Sequence, residues 1–505
     1  MPILMSNGKV RLANGKPLAL VPGVEPPAMT TLVLNESHLD LTVYQRGINN
    51  TALVPVSGTF EGEAPASIQA RTINDATNAQ SLAWAEITGL VVVGKTFAGF
   101  LAVPKSARVD MHRLQARAGS DQPVASAANR FAVGIRMAYS GQSNMVGLPN
   151  GTAKYPLGAK GCYEYREGSN KRIGNINDSL APNTLYPTGY TNYTRDSGAK
   201  VGDGYVYIAN QVAMLTDTPV CVYEQSSGGT AISGWTGATP TAWNAFVAGL
   251  PAGHTDFEIF LWYQGESNAY NTTTATMVTE LDKLQTKVHT LTGRTASTLK
   301  FFIISLGSGS YNGSTEGQFG NMRAAHVQFA NSTPGVFLAT CAHDCVTTDG
   351  VHLNGTSHGL NGARAGLSIA ASLGYGFSGA GPRITGASRV GSVVSASITH
   401  SGGTTLVDGA GGNGAALTGF EFKDLSGTVL PYVCEIVSAT SIMFTVDGVP
   451  ATMSFAMMNC PHNSDPTTSK SAVVPASVPC DNVVVLGSDY GCPLQPCAPI
   501  AIAEA

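Results

Sequence analysis

The sequence predicts an α/β protein in which a three-layer, parallel-sheet domain is flanked by N- and C-terminal β-sandwich-like domains. Three observations predict it. Between residue 131 and about residue 378, short apolar runs alternate with helix-like patterns, the rhythm of strand–helix–strand units that build a parallel sheet covered by helices. On either side, short β-rich runs recur between Gly, Pro, Asn and Asp, which suits antiparallel sandwiches. The 505 residues also exceed what one core usually supports.

Residues 1–35 read as a β arm, with two Asn-Gly-Lys turns and Pro26-Pro27 near its end. In residues 36–130 the runs at 53–56, 67–71 and 89–93 suggest a sandwich-like accessory domain. The rhythm changes at Phe131. Apolar runs at 133–138, 220–223, 257–262, 301–305 and 336–339 are the expected strands of a domain spanning 131–378. Between the third and fourth, Met277, Leu281, Leu284, Val288 and Leu291 alternate spacings of four and three, and Gly293 follows as a stop. That pattern belongs to an amphipathic helix lying on a sheet. A small-residue helical stretch over 363–373 closes the domain. Strand-like segments at 383–399, 419–423 and 432–445, with a Gly-rich hinge at 409–414, make the expected second sandwich-like domain over 379–475. Residues 476–505 read as an irregular tail.

Composition narrows the partners. A net charge of -4 with no basic cluster argues against nucleic acid, and no apolar run is long enough to span a membrane. The N-terminus shows no Sec-type signal peptide. The expected setting is nonetheless extracellular or virion-associated, reached without a Sec-type signal, with a signal missing from this sequence, or by riding on a particle such as a phage tail; the N-terminal arm is then an element for homo-oligomer assembly or attachment to a larger particle. Of the nine cysteines, Cys341 and Cys345 enclose His343 and Asp344 without a second Cys/His pair at zinc-finger spacing nearby. A local disulfide or two buried thiols is expected there rather than zinc. Cys480, Cys492 and Cys497 are the disulfide candidates if the compartment is oxidising.

The chemistry gathers at predicted strand ends, where open α/β sheets bind ligands. The run 131–140 feeds a Gly141-Gln142-Ser143-Asn144 corner that carries a hydroxyl suited to nucleophilic attack. Alone, such a corner also fits an ordinary turn. A serine needs a base, a group to orient it, and donors for the developing oxyanion. Asp349-Gly350-Val351-His352 follows the last strand and presents carboxylate and imidazole from one short loop, with His343, His358 and Asp344 as rivals. The paired Gly228-Gly229 lets backbone N–H groups approach a ligand. The third strand runs into Gln264-Gly265-Glu266-Ser267-Asn268, where an amide side chain can serve as oxyanion donor. Glu266 reads either as a second acceptor or as a competing acid. Trp235 is a candidate pocket wall and Trp243 a candidate core residue.

Taken together, GQSNM at 141–145, GGTAISGW at 228–235, WYQGESN at 262–268 and DGVHL at 349–353 resemble SGNH-type hydrolases. Within them the likeness is to the sialate O-acetylesterase and carbohydrate esterase family six branch. It covers roughly residues 131–378, and the flanking regions are only loosely similar to accessory domains of such enzymes. The resemblance implies Ser143 as nucleophile, His352 as base and Asp349 as its partner. It implies an oxyanion hole from Ser143, Gly228 or Gly229, and Gln264, with Gln264 or Asn268 facing the charge. Expected substrate contacts are Gln142, Asn144, Trp235, Glu266 and Asn268. The expected activity is removal of O-acetyl groups from an acetylated carbohydrate through an acyl-enzyme, with no metal and no organic cofactor. Polar loops with scattered aromatics suit sugars better than lipids. The rival reading is a carbohydrate-binding or virion-adhesion protein carrying an inactive esterase-like domain.

Overall fold

The strand Phe131–Gly141 is buried along its whole length, as its nearly unbroken apolar sequence requires of a strand covered on both faces. Val220–Glu224 runs parallel to it on one side and Ile259–Tyr263 on the other. The sheet continues through Lys300–Ser305 and Val336–Cys341 in one direction and through Cys162–Arg166 in the other, all parallel. The outermost strand, Arg172–Asn175, is antiparallel, so the sheet is mixed. The computed structural model describes residues 3–6, 9–12, 29–36, 38–146, 161–166, 172–175, 203–250, 253–347, 349–408, 417–457, 479–481, 484–485, 488–489 and 492–505.

Helices Asp203–Thr216 and Gly355–Ser372 pack on each other, as do Thr274–Thr292 and Glu316–Ser332. Gly366 lets the first pair approach closely, because a β-carbon there would lie 2.6 Å from Gln211 Cβ. In Thr274–Thr292 the predicted stripe is buried at Met277, Leu281, Leu284 and Val288. The Thr273 side chain caps the first turn, and Gly293 ends the helix in the left-handed conformation. The helix predicted over 363–373 starts earlier, at Gly355, because the Asn354 side chain accepts the Ser357 amide and caps it.

Thr31–Leu34, Thr51–Glu61, Thr96–Pro104 and Thr88–Val93 form a four-stranded antiparallel sheet. The end of the predicted arm is therefore a strand of the accessory region. Thr42–Gln45 pairs parallel with the start of Phe131–Gly141, and His112 pairs with Phe131. Backbone pairing thus crosses the boundary that the change of rhythm suggests at residue 131. Of the arm itself, Ile3–Ser6 and Lys9–Leu12 form a hairpin. Pro26-Pro27, the hinge at 409–414 and Cys460 lie outside the described residues.

The C-terminal region holds a five-stranded and a four-stranded sheet over a shared core that includes Phe420, Phe422, Phe444 and Phe455. The final residues correct the reading of an irregular tail. Cys497–Ala501 pairs with Thr452–Phe455, and Ala503–Glu504 pairs with Arg383–Val390. Those pairings satisfy backbone groups of edge strands and bury Ile502. Cys341 and Cys345 are two buried thiols, the second of the alternatives expected for them, whereas Cys492 and Cys497, read as disulfide candidates, are thiols, which corrects that reading. Cys492 packs among Tyr207, Ala363 and Leu367, whereas Cys497 lies on the strand beside Phe455. Among the described residues, no helix is long and apolar enough to cross a membrane.

Leu281 is fully buried on the face that Thr274–Thr292 turns to the core. Leu281→Ala is expected to destabilise the fold by about 3 kcal/mol, the lost transfer energy plus a cavity, measured as a lower midpoint in denaturant unfolding.

Candidate active site

Gly141 makes the corner. Its φ of 153° is open to glycine, and a β-carbon there would lie 2.0 Å from the Tyr263 carbonyl oxygen. The chain turns at once, the Gln142 amide donates to that carbonyl, and Ser143 opens the one-turn helix Ser143–Val146. The Ser227 amide donates to the Gly141 carbonyl at 2.9 Å, drawing in the turn that follows Val220–Glu224. Three parallel strands thus deliver loops to one edge.

The fourth loop brings the imidazole. Thr347 and Leu353 pair in an isolated bridge that holds Asp349–His352 in a tight loop. There Asp349 Oδ1 accepts the Val351 and His352 amides at 3.1 and 2.8 Å. Asp349 Oδ2 lies 2.6 Å from His352 Nδ1, and His352 Nε2 lies 2.9 Å from Ser143 Oγ. With Nδ1–H donating to the carboxylate, Nε2 is left as the acceptor for the serine hydroxyl, the arrangement a general base requires. Partial burial opposes the charge on Asp349, but the bonds from the His352 ring and from the two amides outweigh it and hold its carboxyl below the usual value.

The rivals are occupied elsewhere. His343 is buried with its ring edge-on to Phe455 at 5.7 Å. Burial pushes His358 down to about 4. Asp344 receives two bonds of 2.9 Å from Arg364.

Most of the expected substrate contacts lie beneath the site and not on its surface, which corrects that part of the sequence reading. Asn144 is buried; its Nδ2 donates to Glu266 Oε1 at 2.6 Å and to the Val351 carbonyl at 3.0 Å, while its Oδ1 accepts the Leu353 amide at 3.1 Å. Glu266 is buried too, and desolvation pushes its carboxyl up against the opposing bond from Asn144. Gln142 is buried with Oε1 accepting the Ser267 amide. Asn268 Oδ1 accepts the Ile232 amide and Gln264 Nε2, and its Nδ2 donates to Thr272. Trp235 has no exposed face and packs edge-on against Trp262 at 5.2 Å. Short amides after strand ends turn inward here because the facing loops present backbone groups that need partners.

The same network bears on the oxyanion donors. The Ile232 amide fixes Asn268 Oδ1 as an acceptor, which orients Gln264 Nε2 toward it at 2.6 Å and toward the Thr230 carbonyl at 3.3 Å. Gln264 is fully buried in that pose, and its amide braces the fold instead of opening onto the cleft. Gly228 and Gly229 are exposed in the neighbouring turn, and among the described residues neither amide donates a hydrogen bond. The motifs did not mark residues 306–315, which reach the same edge through the Ser310 amide bonded to the Gly350 carbonyl at 3.1 Å. The one available signal was Tyr311, an aromatic residue placed just past a strand end.

The family model described as carbohydrate esterase, sialic acid-specific acetylesterase, matches residues 137–369, which contain all four loops. Over that segment the chain is similar to the sialic acid-specific acetylesterase family of carbohydrate esterases. Among solved structures, the chain is similar to a carbohydrate acetylesterase from Xanthomonas citri, with TM-score 0.58 and 16% identity, over 94% of this chain and 99% of that one. That likeness is one of fold, and it extends beyond the family segment into both β regions. A protein from Arabidopsis thaliana matches 46% of this chain and 98% of its own at 18% identity and TM-score 0.34. A family two carbohydrate esterase from Clostridium thermocellum matches 68% and 99% at 11% identity and TM-score 0.32. No curated protein matches the sequence significantly.

Two outcomes follow for this site. Asn144→Ala strands the Leu353 amide, the Val351 carbonyl and the Glu266 carboxyl; a loss of about 2 kcal/mol is expected in denaturant unfolding. The folded Asp349 carboxyl binds its proton less readily than in the unfolded chain. Its stabilising contribution is therefore complete above the unfolded value of about 3.9 and is lost as the pH falls through the lower folded value. Asp349→Asn is expected to shallow the acid limb of the stability–pH curve, read by denaturant unfolding at successive pH values.

Proposed function

We propose that the chain is a serine esterase that removes O-acetyl groups from a carbohydrate through an acyl-enzyme. The observation that carries this reading is the unbroken line of hydrogen bonds from Asp349 through His352 to Ser143. As Ser143 Oγ attacks the acetyl carbonyl carbon, His352 Nε2 takes the hydroxyl proton. Asp349 holds Nδ1–H and stabilises the imidazolium. Backbone N–H groups at Gly228, Gly229 and Ser143 stand as donors to the oxyanion. Collapse breaks the bond to the sugar oxygen, which leaves with the proton from His352 and deposits acetyl on Ser143. Water, deprotonated by the same nitrogen, attacks the acetyl-serine; acetate departs and Ser143 regains its proton.

The match of residues 137–369 to the carbohydrate esterase family model supports the reaction class. Polar loops around the site support a sugar as the alcohol. The helix pairs Asp203–Thr216 with Gly355–Ser372 and Thr274–Thr292 with Glu316–Ser332 support reading the domain as three layers. The β regions on either side are read as accessory domains, and the setting as extracellular or on a virion.

Ser143→Ala is expected to lower kcat on 4-nitrophenyl acetate by at least about a thousandfold, and retention of most activity overturns the assignment.

A further inference from the structure

The loop after Lys300–Ser305 reaches the edge of the sheet that carries Ser143 and His352. At its near end the Ser310 amide donates to the Gly350 carbonyl, one residue from Asp349. Tyr311 follows. A β-carbon on Gly229 would lie 3.6 Å from the Tyr311 hydroxyl, so the ring's tip faces the Gly228-Gly229 turn. That turn is tied back to the nucleophile corner by the Ser227 amide on the Gly141 carbonyl. The rim thus runs from Ser143 to His352, on to Gly350 and Ser310, across Tyr311 to Gly229, and back to Gly141. Tyr311 is the aromatic residue on that path. It is half-buried against the core. Among the described residues its hydroxyl makes no hydrogen bond and its ring no aromatic contact.

The loop is built to hold this ring in place. Tyr311 and Ser314 are bonded both ways, amide to hydroxyl at 2.9 Å and carbonyl to amide at 3.0 Å, around Asn312 and Gly313 in left-handed conformations. Glu316 Oε2 accepts the Gly309 amide at 2.9 Å, and Glu316 pairs with Arg323. Arg323 is fully buried and also donates to the Gly307 carbonyl at 2.8 Å and to the Ala456 carbonyl at 2.7 Å. One guanidinium therefore locks both ends of the loop and ties it to the C-terminal β region. Multiple charge-assisted bonds of this kind fix geometry as well as adding energy.

We propose that Tyr311 is the sugar-contacting wall of the site, with its ring against the face of the pyranose whose acetyl group is removed. This rests on the esterase reading and deepens it. An amphipathic aromatic suits the task, since its apolar face covers sugar C–H groups while its hydroxyl stays among polar ones. Trp235, buried in the core, cannot supply that face.

The test compares glucose pentaacetate with the ringless ester vinyl acetate, following acetate release from the full-length chain. For Tyr311→Ala, the ratio of kcat/KM on glucose pentaacetate to that on vinyl acetate is expected to fall by about tenfold, mainly through KM. Tyr311→Phe, which keeps the ring, is expected to hold the ratio within about twofold. An unchanged ratio in Tyr311→Ala overturns the proposal, as does an equal fall in Tyr311→Phe. If the wild-type chain releases acetate from neither ester, the esterase reading itself fails, an outcome distinct from a loss of sugar selectivity.

Discussion

Asn144 follows Ser143 in the chain, and its side chain grips the backbone on both sides of His352. Its amide nitrogen reaches the Val351 carbonyl and its oxygen takes the Leu353 amide. The imidazole and the hydroxyl, 209 positions apart in the chain, are thereby placed within 2.9 Å of each other. Glu266 decides which end of the Asn144 amide points where, by accepting its nitrogen at 2.6 Å. Asn144, Glu266, Val351 and Leu353 are all buried, where an unmade hydrogen bond is expensive. The two loops therefore have one favourable way to meet, and the Asp349–His352–Ser143 line follows from it.

The clasp in turn needs strand ends that arrive level with one another. Phe131–Gly141 and Ile259–Tyr263 end side by side, with Gly141 paired to Tyr263. Any β-carbon at Gly141 would collide with the neighbouring carbonyl, so the corner can carry no larger residue without a shift in the sheet. From that shared edge the polar residues divide by length and position. The short amides turn inward and satisfy backbone groups, whereas Ser143 and His352 remain partly exposed. Burial thus separates residues that the motifs list side by side.

The flanking β regions are more than appendages. Thr42–Gln45 pairs directly with the strand that ends at the serine, and the C-terminal region lends the Ala456 carbonyl to Arg323. Through Arg323 and Glu316 that contact reaches residues 306–315, beside the site. The physical link between the C-terminal β region and the site is one buried guanidinium, held where its charge is paired and each of its nitrogens has a partner.

Local pattern alone was enough for the parallel strands, the stripe of Thr274–Thr292 and its Gly293 stop, because period and capping are encoded within a few neighbouring residues. Ser143, Asp349 and His352 were likewise legible, each sitting in a short turn-rich block at a strand end. Other features depended on what each residue meets in space. The inward turn of Asn144, Glu266 and Asn268, the full burial of Trp235, the bracing pose of Gln264 and the joining of the last residues to the C-terminal sheets are set by partners far along the chain. Residue type shows what a side chain can do. Only the tertiary structure decides whether it faces water, because burial and hydrogen-bond partners are properties of the assembled loops and not of any one of them.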